Sequence, residues 1–284
     1  MAEAASPNRA RLGARLREIR ARSFRSGSEL ARAFDPPWQQ TKVSKLELGR
    51  QLPTQAELDL WLRTCGGEDL RGELIELLGA ARLDYRPWGE AWQTPGGITA
   101  VQSEIDDLDE AATLIAEYQP AFVPGIVQTP AYARESLSAP AGPTLLGATP
   151  ERVEELVASR VRRQRHLYDP SKRIQVLMGE GALYTYFGSR ETLVGQLDRL
   201  ETVASLSTVD VGILLFDNPM PLIPVGGFAV NDEIAAWVEM QTGEHPVGSP
   251  PELMALVKMF KASLAAAAVG NAALDAIRKA RGTK

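Results

Sequence analysis

Cysteine is nearly missing from this chain. Cys65 is the only one in 284 residues, so no intrachain disulfide can form and a thiolate metal centre has no ligand set. Histidine is almost as scarce, with His166 and His245 alone, which leaves little for imidazole-based metal chemistry. Long apolar runs are lacking too. The longest near the C terminus, Leu264 to Val269, is far below the ~20 residues of a membrane span, so no membrane partner is expected. The start, MAEAASPNRARLG, has no apolar h-region and does not read as a secretory signal. No GxxxxGK[ST] or GxGxxG run stands at a strand–helix junction, so Gly226-Gly227 is no phosphate loop. These absences suit a reducing cytoplasm, where the chain is expected to reside, and no metal or cofactor is expected.

What is present is a charge asymmetry. Hydrophobic residues make up 44% and charged residues 24%, the balance of a globular chain long enough for two cores. Residues 1–50 hold eleven Lys/Arg against five acids, a net of +6; the whole chain carries -5, so the remainder carries -11. A basic module followed by an acidic one draws a polyanion to the first and repels it from the second.

The first eighty residues read as five short helices. Arg9 to Phe24 spaces Leu12, Leu16 and Ile19 on one face among arginines. Ser26-Gly27-Ser28-Glu29 has the form of a capping box opening a second helix, Glu29 to Phe34. Asp35-Pro36 offers a third start, an N-cap with proline at the first helical position. That helix turns Val43 and Leu46 inward and stops at Gly49. A fourth begins at Thr54 and ends at Gly66-Gly67, with Cys65 as a small core residue, and a fifth runs from about Glu68 to Leu83. The third displays Gln39, Gln40, Thr41, Ser44 and Lys45, side chains of the kind that reach base edges.

These residues resemble a family. LGARLREIRARSF, SELARAF and TKVSKLELGRQLPT are similar to the XRE/lambda-repressor-type helix-turn-helix over about residues 9–66. The resemblance implies that the third helix lies in the major groove of duplex DNA. It implies base reading by Gln40, Thr41 and Lys45, backbone contacts by Gln39, Lys42, Ser44 and Arg50, and a fastening role for Glu47. The turn departs from the commonest pattern by about two residues and lacks glycine. Pro36-Pro37 would stiffen it and Trp38 would anchor it.

The rest alternates strands and helices, an α/β or α+β pattern without repeats. RPWGEAWQTPGG reads as a linker. Ser103–Leu108 and Ala112–Tyr118 read as strand or mixed segments, and Ile174–Met178, Val209–Phe216, Gly227–Val230 and Ala235–Met240 as strands. Helices are expected from Thr129-Pro130, over Thr149–Leu167, Ser189–Ala204, Pro250–Ala268 and Asn271–Arg281. In the box at Ser189 the glutamate, Glu191, comes one residue early. Asp106-Asp107 and Asp109-Glu110 read as a solvated acidic face, His166 as a cation at a helix end, and the arginines of 152–165 as paired with Glu151, Glu154 and Glu155.

VPGIVQT followed by Tyr132-Ala-Arg134, then Arg160-x-x-Arg163-Gln164, Gly179-Glu180-x-Ala182-Leu183 and Gln196-Leu197 carry a second resemblance over about residues 100–280. They are similar to the C-terminal domain, of unknown function, of a large group of actinobacterial helix-turn-helix regulators. That resemblance implies transcriptional regulation, often with a small partner protein encoded nearby. The expected organisation is a mixed one: an all-α helix-turn-helix domain at 8–83, a linker at 84–98 and a larger α/β (or α+β) domain at 99–284. The function expected is a sequence-specific DNA-binding regulator, a homodimer and not an enzyme, whose second domain senses an effector, docks a partner or dimerises. Gln128, Arg163 and Glu180 form its candidate ligand or partner site. The alternatives are an antitoxin-like module gripping a small basic protein and, more remotely, an enzyme in which Glu180 and Arg163 converge.

Overall fold

The computed structural model describes residues 7–82, 84–93 and 96–282 and divides at Tyr85 into two compact units. The chain is mixed in class, with twelve α-helices and one eight-stranded mixed sheet among the described residues.

The described residues of the first unit form helices α1 (Pro7–Ser23), α2 (Gly27–Ala33), α3 (Gln40–Glu47), α4 (Gln55–Cys65) and α5 (Arg71–Arg82). A 3-10 turn, Glu68–Leu70, precedes α5, and the end expected at Leu83 lies outside the described residues. Leu12, Leu16 and Ile19 of α1 meet Leu30, Val43, Leu46, Leu58, Trp61 and Leu62 in one core. At Thr54, the expected start of the fourth helix, a reciprocal cap forms: its Oγ1 accepts the Glu57 N–H at 3.1 Å and Glu57 accepts the Thr54 N–H at 2.8 Å. At Ser26 only half of the box forms, because Glu29 reaches the N–H of Arg25 instead. Asp35-Pro36 does not start α3. The helix begins at Gln40, after a turn in which the Trp38 N–H bonds the Ala31 carbonyl at 2.9 Å. Trp38 stacks on Phe34 with centroids 4.1 Å apart, the anchor its sequence position implied.

The backbones of α1 and the end of α3 touch. A Cβ on Gly13 would lie 2.6 Å from the Glu47 carbonyl oxygen, and one on Gly49, whose φ is +66°, would lie 2.6 Å from that of Arg9. Neither backbone can yield cheaply, and the left-handed φ adds strain for any L side chain. Gly49→Ala is therefore expected to destabilise the first unit by about 1–3 kcal/mol. Hydrogen exchange of α1 and α3 in the full chain measures it; unchanged protection there would contradict the close approach.

The second unit is built on a sheet of order β1-β7-β6-β5-β2-β3-β4-β8. Strands β2 (Leu114–Gln119), β3 (Arg173–Gly179) and β4 (Val209–Leu214) run parallel, with Ile115 beside Ile174 and Ile174 beside Val209. β5 (Phe228–Asn231) pairs antiparallel with β2, and β6 (Ala235–Met240), β7 (Gly243–Val247) and the short β1 (Arg86–Pro87) follow, each antiparallel to the strand before it; β8 (Ala268–Val269), antiparallel to β4, closes the far edge. Seven helices accompany them: α6 (Trp88–Gln93), α7 (Gly97–Ala111), α8 (Pro130–Leu137), α9 (Pro150–Arg163), α10 (Arg190–Val203), α11 (Pro250–Ala266) and α12 (Asn271–Gly282). Alternation along the strands makes two faces. Ile115, Val176, Met178 and Ile213 pack with Leu193, Leu197 and Leu200 of α10 and Ile277 of α12. Tyr118, Leu177 and Phe228 pack on the other face with Val257 and Phe260 of α11.

Several expectations need correction. The stretch 84–98 is no free linker: β1 and α6 lie in it, α7 starts in it, and β1 pairs with β7. Ser103–Leu108 is helical, because its acids and apolar residues fall at helical rather than alternating spacing within α7. β1, β7 and β8 were not foreseen; two are only two residues long, and β7 contains a proline. The Ser189 cap is completed from another helix. Glu135 of α8 accepts the Ser189 N–H at 3.2 Å and the Thr192 hydroxyl at 2.7 Å, which is why Glu191 need not serve.

Candidate functional site

In the first unit the candidate surface is the outer side of α3. Its eight residues turn Val43 and Leu46 into the core and leave Gln40, Thr41 and Lys45 exposed, with Gln39 just before and Arg50 just after exposed as well; Ser44 is half-buried. Lys42 is not displayed in the same way. Its Nζ sits 4.1 Å from the Trp38 ring centroid and pairs with Glu57. Glu47 fastens the bundle as expected, and its partner is the buried Arg20, whose Nη1 also donates to the Phe24 carbonyl at 3.0 Å. Arg20 is thus a core cation, whereas Arg11, Arg17 and Arg22 of α1 are exposed. The Cys65 thiol is buried and pushed up to about 11 by desolvation, which makes it an inert core group.

In the second unit the sheet half under α7 and α9 carries a buried polar layer. Arg163, near the end of α9, bonds Asp109 of α7 through Nε and Glu117 of β2 through Nη2. Asp109 is fully buried, and its other oxygen accepts from Asn231 of β5 at 2.8 Å. Burial opposes the charge on Arg163, but the two carboxylates outweigh it and hold the guanidinium protonated more firmly than usual. Lys172, also buried, donates to the carbonyls of Asp109, Glu110 and Ala112 at 2.7–2.8 Å and so satisfies the end of α7. One turn before Arg163, Arg160 donates to Gln128 at 2.6 Å; the Gln128 amide in turn donates to the Val123 carbonyl at 2.8 Å. Gln196 of α10 secures the next residues, accepting the Thr129 N–H at 2.6 Å and donating to the Val127 carbonyl at 3.0 Å. The VPGIVQT phrase is therefore a loop pinned from α9 and α10.

Further along the same face Glu239 of β6 stands directly opposite Glu244 of β7 in the strand register. Gln119 donates to Glu239 at 2.7 Å, and Arg86 donates to Glu244 at 3.1 Å. Burial raises both carboxyls, and Glu244 is pushed up to about 7.

The sequence-predicted trio does not assemble. Gln128 and Arg163 belong to this layer through α9, but Glu180 accepts the Phe216 N–H at 2.8 Å at the end of β3, and Arg163 takes Asp109 and Glu117 instead. The acidic tract is not simply solvated. Asp109 is interior, Asp106 and Glu110 bond Arg165, and Asp106 lies 3.2 Å from the buried His166. Arg160 and Arg163 of α9, and Arg165 just after it, reach neighbouring elements rather than the acids of α9, of which Glu154 pairs with Arg134. One signal for the missed residues was legible: Glu117 interrupts the apolar run LIAEYQ at an inward position, and an inward carboxylate demands a cation. Among the described residues no group of three or more His, Cys, Asp or Glu is placed to hold a metal ion, and no helix is long and apolar enough to cross a membrane.

A helical unit carried on one chain with a mixed-sheet unit, whose parallel strands hold a pinned VPG loop and an arginine–carboxylate interior, defines the class. Residues 102–279 match the family described as Domain of unknown function (DUF5753), and the chain belongs to that family. No curated protein and no solved structure matches it.

Proposed function

We propose that this chain is a sequence-specific DNA-binding transcriptional regulator, in which the first unit is a helix-turn-helix that reads an operator through α3. The observation that carries the reading is the division of α3. Its apolar residues are spent on the core, and Gln40, Thr41 and Lys45 are left exposed together, between the exposed Gln39 and Arg50. Gln40 and Lys45 have the donors and acceptors that base edges in the major groove require, while Gln39, Ser44 and Arg50 suit the phosphate backbone. The exposed arginines of α1 add the electrostatic attraction. One short helix gives too few contacts at physiological salt, so the protein acts as a homodimer on half-sites about one helical turn apart. The cytoplasm, where duplex DNA is accessible, is its place of work.

On this reading the second unit senses or docks and has no reaction of its own. The loop between β4 and β5 supports docking. Stiffened by Pro219, Pro221 and Pro224, it holds Phe216, Ile223 and Val225 exposed to solvent, and a small partner protein encoded nearby would cover such a surface.

Gln40→Ala combined with Lys45→Ala is expected to weaken binding to the selected operator about 100-fold while leaving binding to unrelated duplex within a few-fold. A mobility-shift titration at fixed salt reads both. Specific binding that survives the double substitution removes α3 as the reading helix.

A further inference from the structure

The exposed side of α3 contains one cation that the fold already uses. Lys42 pairs with Glu57 of α4 and lies over the ring of Trp38, 4.1 Å from its centroid. Glu57 is itself fixed by the α4 cap, with Oε2 accepting the Thr54 N–H at 2.8 Å. Partial burial works against ionisation of Glu57, but the bonds from Lys42 and Thr54 outweigh it and hold the carboxyl below its ordinary value. Trp38 is held as firmly, through its stack on Phe34 just after α2 and its N–H bond to Ala31 within α2. The ammonium therefore links the end of α2, the start of α4 and α3 itself. A phosphate contact would have to strip Lys42 from a carboxylate and an aromatic face together, giving up one charge-assisted bond and one cation–π contact for another ionic bond in water.

We infer that Lys42 is a positioning residue: it fixes the orientation of α3, and hence which base edges Gln40, Thr41 and Lys45 reach, without touching the DNA backbone. The inference rests on the DNA-reading function proposed above. It reverses the role that the sequence resemblance implied for this lysine. It also places a specificity determinant in Glu57 and Trp38, outside the reading helix.

The test uses the full-length chain and two duplexes: one enriched by the wild-type protein from a random-sequence library, the other a scramble of it. Lys42→Met keeps an apolar stem on Trp38 and removes the charge. Its affinity for the selected duplex is expected to fall about tenfold, with the scrambled duplex within twofold and both salt slopes unchanged. Glu57→Gln should act in the same direction, and the double variant should be no worse than Lys42→Met alone, since both changes break one bond. Arg50→Ala is the contrast, with a salt slope reduced by about 0.9. A slope reduced by that amount in Lys42→Met, with Glu57→Gln unaffected, would show a phosphate contact and overturn the inference. So would wild-type affinity of Lys42→Met for the selected duplex, or a lowered thermal midpoint with an unchanged ratio of selected to scrambled binding. If the wild-type protein enriches no sequence, the DNA-reading function itself fails, and that is seen before any variant is made.

Discussion

Replacing Arg163 by methionine is expected to destabilise the second unit by about 3–5 kcal/mol, because it strands two buried carboxylates. Asp109 is fully buried and Glu117 nearly so, and both direct an oxygen at this guanidinium. Without it, each must either stay charged in a low-dielectric interior or take up a proton, and both options cost free energy. Asn231 can support one oxygen of Asp109 but brings no charge. The effect should be much smaller when all three ionic groups are neutralised together. Arg163→Met with Asp109→Asn and Glu117→Gln leaves no unpaired charge, and such a replacement is often close to neutral. Hydrogen exchange of β2, α7 and α9 in the full chain, with and without urea, gives both numbers, and protection of α1 to α5 serves as the internal reference. If the single variant loses less than about 1 kcal/mol, the layer is not what holds α9 to the sheet.

The second large effect is a dependence on pH. The Glu244 carboxyl is only 2% exposed, and burial pushes it up to about 7. Arg86 opposes the shift, while Glu239, opposite it across β6 and β7, and Glu104 of α7 add to it. Around Glu239 stand Glu117, which raises that carboxyl further, and Gln119, Arg160 and Arg163, which lower it. The sign follows from linkage. A carboxyl with a raised folded-state pKa binds its proton more tightly when folded. The chain is then most stable with respect to this group at acidic pH, and stability falls as pH rises from about 4.5 towards 7 and beyond. The whole effect is on the order of 3 kcal/mol. Glu244→Gln keeps an oxygen for Arg86 and carries no charge at any pH. It should match the wild-type protein near pH 5 and exceed it near pH 8, read from the exchange protection of β6 and β7. Parallel pH profiles for the two proteins would rule out Glu244 as the titrating group.

Much of the first unit is legible in its amino-acid sequence. Leu12, Leu16 and Ile19 recur at helical spacing, and the helix start expected at Thr54 is closed by a group only three residues on, Glu57. Such signals are local and survive in one dimension. Asp35-Pro36 misled because an N-cap followed by proline also suits a turn, and the Trp38 anchor on Phe34 decided for the turn. The candidate surface on α3 was read from the same periodicity that buried Val43 and Leu46. The pairing of Lys42 was not legible, because its partner, Glu57, belongs to the next helix.

The second unit shows the limit of a one-dimensional reading. The apolar strands, the capped helix starts at Thr129, Thr149 and Ser189, and the basic-then-acidic division of the chain are all written in local spacing and composition. It took the packed chain to show that Arg163 faces Asp109 and Glu117 rather than Glu180, that Glu135 caps a helix 54 residues away, and that Glu239 stands opposite Glu244. The physical reason is that a buried charge selects its partner by proximity in the packed state. Proximity here is set by a sheet order, β5 beside β2 and β7 beside β1, that no local signal encodes.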